Sequence, residues 1–396
     1  MKSLRTLLFG LLLSMNTLLG QSQQITKLDG SKMSIIEIDK TVKRLMDTAN
    51  VQGLCLSILN NNKPIYTRAY GFKNKPQKEY LDTETVIYGA SFSKAVFAFL
   101  TLKLVEEKVI ELDKPLSEYL SKPIRNYDYF KDLATEERWK KITARMCLSH
   151  TTGLPNVRWF HPTTGVIDTT GTMKMYFNPG ERYAYSGEGM KLLQLTIEEI
   201  TGKTIEELAV ERVFKPIGMN RSSYIWQSSF DANFAIGHLE NDELNPRKKR
   251  TVPVAPASLM TTITDYSKFI SYVMEQKGLS KELYKEMWSP QIEIHSKYQF
   301  PPLTLETTNE NENIHLSYGL GWGYLKCKYG RAVFKEGHDD AWRNYNINFI
   351  DKGISIIIMT NSANGEKIFK ELLATLIADT FTPWKWQTYY PYDYKK

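Results

Sequence analysis

Ile87-Tyr88-Gly89-Ala90-Ser91-Phe92-Ser93-Lys94-Ala95-Val96-Phe97-Ala98-Phe99 places a serine and a lysine three residues apart at the start of an apolar run. If Ser91 opens a helix, Lys94 lies one turn further along the same face, with its amine beside the Ser91 hydroxyl. A serine hydroxyl is a weak nucleophile until a neighbouring base takes its proton. A lysine serves as that base only where burial and nearby positive charge lower its pKa. A helix N-terminus adds backbone N–H groups that favour developing negative charge. The pair alone reads first as a solvated serine and lysine at a helix start. Its weight comes from the rest of the chain.

The chain's 396 residues, 42% hydrophobic and 24% charged, have the composition of a globular protein with a large core. The length suits two domains, or one domain with an insertion. The net charge of +7 is mild. The one dense basic run, Arg247-Lys248-Lys249-Arg250, reads as a solvated loop, and no zinc-finger spacing or basic repeat points to nucleic acid. Residues 1–22 read as a secretory signal: Lys2 and Arg5, then Leu7 to Leu13, then Gly20-Gln21-Ser22. That run is short for a membrane span, so a periplasmic or secreted protein without a stable span after cleavage is expected, an uncleaved anchor being the alternative. Cys55 and Cys147 lie in apolar patterns and read as core residues, and with Cys327 the odd number leaves at least one thiol free.

Along the chain, Ile38 to Met46 is helix-like. Gly53–Leu59 and Pro64–Tyr70 flank Asn60-Asn61-Asn62-Lys63 and read as a hairpin. The Ser91 helix runs to about Glu107. A long helical and loop region follows, including Leu116–Leu120, Thr143–Ser149 and Glu188–Thr201, with Gly202 as a stop and Thr204 as the next cap. Thr262 caps a helix to about Glu275. Strands return at Tyr318–Leu325, Ala332–Lys335, Tyr345–Ile350 and Gly353–Met359, and Phe369–Phe381 is an amphipathic helix. The fold class is therefore α+β: a mostly antiparallel sheet flanked by N- and C-terminal helices, with a large helical insertion. The expected division is a signal over 1–22, a sheet domain over 23–88 plus 256–385, a helical domain over 89–255, and a tail over 386–396. A site at the seam is the default location.

Three further stretches share the chemistry: Leu148-Ser149-His150-Thr151-Thr152-Gly153-Leu154, Asn178-Pro179-Gly180-Glu181-Arg182-Tyr183-Ala184-Tyr185-Ser186-Gly187, and Phe334-Lys335-Glu336-Gly337-His338. With Ser91-Phe92-Ser93-Lys94, the chain resembles the serine β-lactamase and penicillin-binding family, specifically its class C-like serine hydrolases, over about residues 33–380. Ser91 to Lys94 looks like the S-x-x-K element. Tyr185-Ser186-Gly187 looks like Y-x-N, and Lys335-Glu336-Gly337 like the K-T-G or H-x-G strand. The β-lactamase/transpeptidase-like fold is the expectation this brings.

The resemblance implies roles. Ser91 would be acylated. Lys94 would take its proton directly or tune Tyr185, which would pass a proton to the leaving group and later activate water. Lys335 would flank Tyr185 and attract a substrate carboxylate. The backbone N–H groups of Ser91 and His338 would hold the oxyanion, and Gly337 would let substrate approach the strand edge. Gly187 departs from the family's Asn, which places β-lactam handling in doubt. Glu336 departs from a hydroxyl residue and, by strand alternation, should face away from the site or pair with Arg343. An alternative register gives His338 the Lys335 role.

His150 reads as a helix-end structural residue. His338-Asp339-Asp340 alternate faces and make a poor metal site, so no metal or cofactor is expected. Gly319-Leu320-Gly321-Trp322-Gly323 lies in a strand run with no P-loop lysine and reads as packing. Gly89-Ala90-Ser91-Phe92-Ser93 lacks the last glycine of a nucleophile elbow, against an α/β-hydrolase. The expected function is an exported serine hydrolase acting through an acyl-enzyme on a small ester, amide or peptide, cell-wall-derived peptides among them, and of esterase or D-amino-acid peptidase type. The alternatives are a β-lactamase or slow-turnover penicillin-binding envelope protein, and a non-catalytic scaffold on the same fold.

Overall fold

The computed structural model describes residues 24–394. The expected signal over 1–22 lies outside the described residues. Nine antiparallel strands form the central sheet: β1 (Gly53–Asn60), β2 (Lys63–Asn74), β3 (Glu79–Tyr80), β4 (Ile292–Glu293), β5 (Ser317–Tyr318), β6 (Gly323–Cys327), β7 (Gly330–Asp339), β8 (Trp342–Phe349) and β9 (Ile354–Thr360). Their order across the sheet is β4-β5-β6-β7-β8-β9-β1-β2-β3. N-terminal β1 thus lies beside C-terminal β9, and the chain leaves and re-enters one sheet around its helical segment.

Alternation along β9 sets the layers. Ile356 and Ile358 pack with helix α1 (Ile35–Ala49) and with the C-terminal helix Phe369–Ile377; Ile357 and Met359 pack on the opposite face, against the long helical region. The N-terminal helix starts at a capping box, Ser34 with Glu37, and stops at Asn50 in the left-handed region. Helix α2 (Phe92–Glu106) is buried on nearly every side, because it is clasped between the sheet and the helical segment. Two further helices place site residues: α3 (Ala144–Leu148) and α4 (Gly187–Thr201), the latter capped by the Ser186 hydroxyl and ended at Gly202.

Four local expectations change. The expected strand Tyr318–Leu325 is two strands, β5 and β6, separated where Gly321 adopts a positive φ and packs on Ala98 of α2. The helix expected to reach Phe381 stops at Ile377, with Ala378 left-handed. Residues 386–396, expected as a tail, begin instead in a short helix, Trp384–Gln387, and Trp386, Gln387 and Tyr389 are buried against the sheet. Arg247, expected on a solvated loop, stacks 3.5 Å over the Tyr88 ring and pairs with Asp339 at 2.7 Å. Among the described residues, no helix is long and apolar enough to cross a membrane.

Candidate active site

Ser91 lies at the entry to α2, in a turn the chain must force. Ala90 just before it has φ +47, a conformation that costs a non-glycine residue energy. The second serine of the stretch, Ser93, holds it: its hydroxyl donates to the Ala90 carbonyl at 2.5 Å and accepts the Leu259 N–H at 2.9 Å. One turn on, Lys94 donates from Nζ to Ser91 Oγ and to the Pro256 carbonyl, both at 2.9 Å. Burial drives the Lys94 pKa well below its ordinary value. The Lys335 charge pushes the same way, and Glu336 opposes it.

Tyr185 reaches this pair from the loop before α4. The Leu148–Leu154 stretch cradles that loop. His150, itself left-handed, accepts the Ala184 N–H on its carbonyl and the Ser186 N–H on Nδ1, at 2.9 and 3.1 Å. Its ring packs 4.4 Å from that of Tyr185. Burial, then the charges of Lys94 and Lys335, hold the His150 pKa well below the usual imidazole range, so it is neutral and positions the loop. Lys94 Nζ sits 4.7 Å from the Tyr185 ring centre, and Lys335 Nζ donates to its hydroxyl at 3.0 Å. Burial and then the Glu336 charge push the Tyr185 pKa well above 10, while a hydrogen bond with Ser91 opposes. Tyr185 is thus a phenol.

Strand β7 brings the last group. Its pairing with β6 ends at Phe334, so from Lys335 to Asp339 the edge away from β8 carries no strand partner among the described residues. Lys335, fully buried, is the strand residue that reaches Tyr185. His338 instead turns to Glu366, 3.2 Å away, which Arg343 also pairs at 2.9 Å. Glu336 neither faces away from the site nor pairs with Arg343, in contrast to the expectation. Its carboxylate takes Lys335 at 2.6 Å and the Gln299 side-chain amide at 3.2 Å, and it borders the cavity beside Ser91. Burial lowers the Lys335 pKa and Glu336 raises it again. Gly337, expected to face substrate, borders neither cavity at Ser91. A Cβ there would lie 2.5 Å from the Gly89 carbonyl, so its glycine serves the close approach of β7 to the Ser91 turn.

Two cavities, of about 370 and 620 Å³, meet at Ser91, Asn156 and His338. Gly187 lines the larger. Its N–H donates to the Asn156 side-chain oxygen at 3.1 Å, and a Cβ on it would lie 2.5 Å from the Asn156 carbonyl. The missing side chain at 187 therefore makes room for Asn156. Sequence reading missed Asn156, Phe300, Gln387, Thr388 and Tyr389, all of which line the smaller cavity. The one signal was the aromatic density of Trp384-Lys385-Trp386-Gln387-Thr388-Tyr389-Tyr390, out of place in a free tail. Among the described residues, no group of three or more His, Cys, Asp or Glu side chains is placed to hold a metal ion.

The family described as Beta-lactamase matches residues 38–379. The unguisins hydrolase of Aspergillus campestris is 21% identical over 348 residues, covering 82% of this chain and 61% of that protein. The D-alanyl-D-alanine-carboxypeptidase/endopeptidase AmpH of Escherichia coli is 22% identical over 342 residues, covering 82% of this chain and 83% of its own. The chain spans about three fifths of the length of the first curated relatives it matches. Among solved structures, the octameric penicillin-binding protein homologue from Pyrococcus abyssi superposes with a TM-score of 0.70 at 22% identity, over 89% of this chain and 79% of the other.

Proposed function

The chain belongs to the beta-lactamase family, and on that premise we propose that it is a serine hydrolase acting through an acyl-enzyme on Ser91. The observation that carries this is the 2.9 Å contact between Ser91 Oγ and a lysine amine whose burial favours its neutral form. Lys94 takes the Ser91 proton as the oxygen bonds to the substrate carbonyl carbon. The phenol of Tyr185, held by Lys335, hands a proton to the leaving oxygen or nitrogen and recovers one from the Lys94 ammonium. Water then attacks the acyl-enzyme along the same relay in reverse.

The oxyanion needs two donors. Ser91 N–H, at the start of α2, is one. For the other, the β7–β8 hairpin closes at Asp339 and Trp342 around a two-residue turn. Counting the antiparallel alternation from that turn puts the His338 N–H on the side away from β8, at the open edge.

The leaving group is an alcohol or an amine of ester or peptide type, rather than a β-lactam nitrogen. Gly187 and Glu336 support this choice, because neither supplies the amide or hydroxyl that the resemblance would place there. Export follows from the basic and apolar pattern of residues 1–22. Steady-state hydrolysis of nitrophenyl acetate and butyrate by wild type and Ser91→Ala tests the mechanism. Saturable turnover lost in a folded Ser91→Ala protein is expected. Equal turnover by the two proteins would remove Ser91 from the chemistry.

A further inference from the structure

The smaller cavity at Ser91 carries a charge pattern that the hydrolase reading leaves unused. Its lining includes Ser91, Asn156, Tyr185, Phe300, Glu336 and Tyr389. Glu336 is buried, with 3% of its surface exposed, and only one of its carboxylate oxygens is engaged. Oε1 takes both Lys335 and Gln299, and Oε2, also buried, has no hydrogen-bond partner among the described residues. A buried acceptor left without a donor costs free energy that a ligand's donor can recover.

The neighbouring cations are already committed. Lys335 is held by Glu336 at 2.6 Å and donates to Tyr185. Lys94 donates to Ser91 and to the Pro256 carbonyl. Arg343 and His338 share Glu366. A carboxylate entering this cavity would meet a like charge at Glu336. An N–H donor at the Glu336 end of the cavity would meet a carboxylate with one oxygen unpartnered, and the aromatic residues in the cavity lining suit a cation.

We propose that Glu336 forms a subsite for a protonated amino group of the substrate and excludes substrates that carry a carboxylate there. This rests on the serine hydrolase reading, and it narrows that reading to amino-bearing esters or amides. Because Glu336 borders the same cavity as Ser91, the amine lies within the same small molecule as the scissile bond. Glu336 acts as a specificity residue and takes no proton in the reaction.

Two matched ester series test it. In one, the acyl half is aminobutyryl, acetamidobutyryl or glutaryl on nitrophenol. In the other, acetyl is carried by aminopropanol, acetamidopropanol or hydroxybutyrate, and acetate release is followed. Wild type is expected to prefer the amino member over the carboxylate member by at least about tenfold in kcat/KM in one series. Glu336→Gln and Glu336→Thr should each shrink that ratio. A wild-type ratio near one, or a preference for the carboxylate, overturns the subsite without needing either variant to fold. A ratio unchanged in a folded variant also overturns it and leaves Glu336 as the counter-ion of Lys335. In both cases Ser91-dependent turnover of the neutral esters keeps the hydrolase reading standing. Absence of turnover on every member, the neutral ones included, overturns that reading and this one with it.

Discussion

Lys94 Nζ and Ser91 Oγ lie 2.9 Å apart, and the amine's other hydrogen bond goes to the Pro256 carbonyl. Among the described residues the amine has no carboxylate within hydrogen-bond reach to hold its proton, and burial opposes its charge. Replacing Lys94 by Met keeps the volume and removes the base. Turnover should fall by about 10²–10⁴-fold while the fold is retained. In wild type, kcat/KM should drop as pH falls through the folded Lys94 pKa, which lies well below 10.5, because protonation there disables the base. Circular dichroism with a pH–rate profile checks both. A Lys94→Met protein with wild-type rates would contradict the assignment.

The contact between Gly187 and Asn156 sets a second expectation. Writing an Asn at 187 would drive a Cβ to 2.5 Å from the Asn156 carbonyl. Gly187→Asn should therefore lose about 1–3 kcal/mol of stability and some esterase activity, rather than gain β-lactamase activity. Urea denaturation and nitrocefin hydrolysis measure the two effects.

His150 gives the protein an acid-sensitive element. Its folded pKa is well below the ordinary 6.5. Above pH 6.5 both folded and unfolded forms are neutral, and the group has no linkage effect. As pH falls below 6.5 the unfolded chain takes a proton that the folded one refuses. Stability then falls by about 1.4 kcal/mol per pH unit from this group, until the folded pKa is reached. Denaturation series between pH 7 and 5 should show this slope. His150→Asn, which tolerates the left-handed backbone, should flatten it by about one proton.

The C-terminal segment should behave as core. Trp386 is 1% exposed, and its indole N–H donates to Ser296 Oγ at 3.2 Å. Trp386→Ala should cost about 3–5 kcal/mol. Because Gln387, Thr388 and Tyr389 line the cavity, it should also lower activity per folded molecule. Thermal melts and active-site titration separate the two losses.

Much of this arrangement was legible in the chain. The S-x-x-K spacing put Lys94 beside Ser91 because a helix repeats on nearly that interval. The Pro179-Gly180 turn marked the approach to Tyr185, whereas the Ser186 cap behind it came only with the structure. What was not legible depended on long-range contacts. Strand alternation put Glu336 on the opposite face to Lys335, but at the unpaired edge of β7 its long side chain still reaches that lysine. The reach of Gln387, Thr388 and Tyr389 into the site depends on the packing of Trp384 and Trp386 against the sheet. Asn156 becomes visible only once Gly187 is seen to leave room for its carbonyl.

The central claim is that Ser91 is the nucleophile. Intact mass after incubation with a fluorophosphonate, for wild type and Ser91→Ala, tests it most directly. One phosphonyl adduct per wild-type chain and none on a folded Ser91→Ala protein is the expected result. An adduct of equal yield on both, or none on folded wild type, would contradict the account.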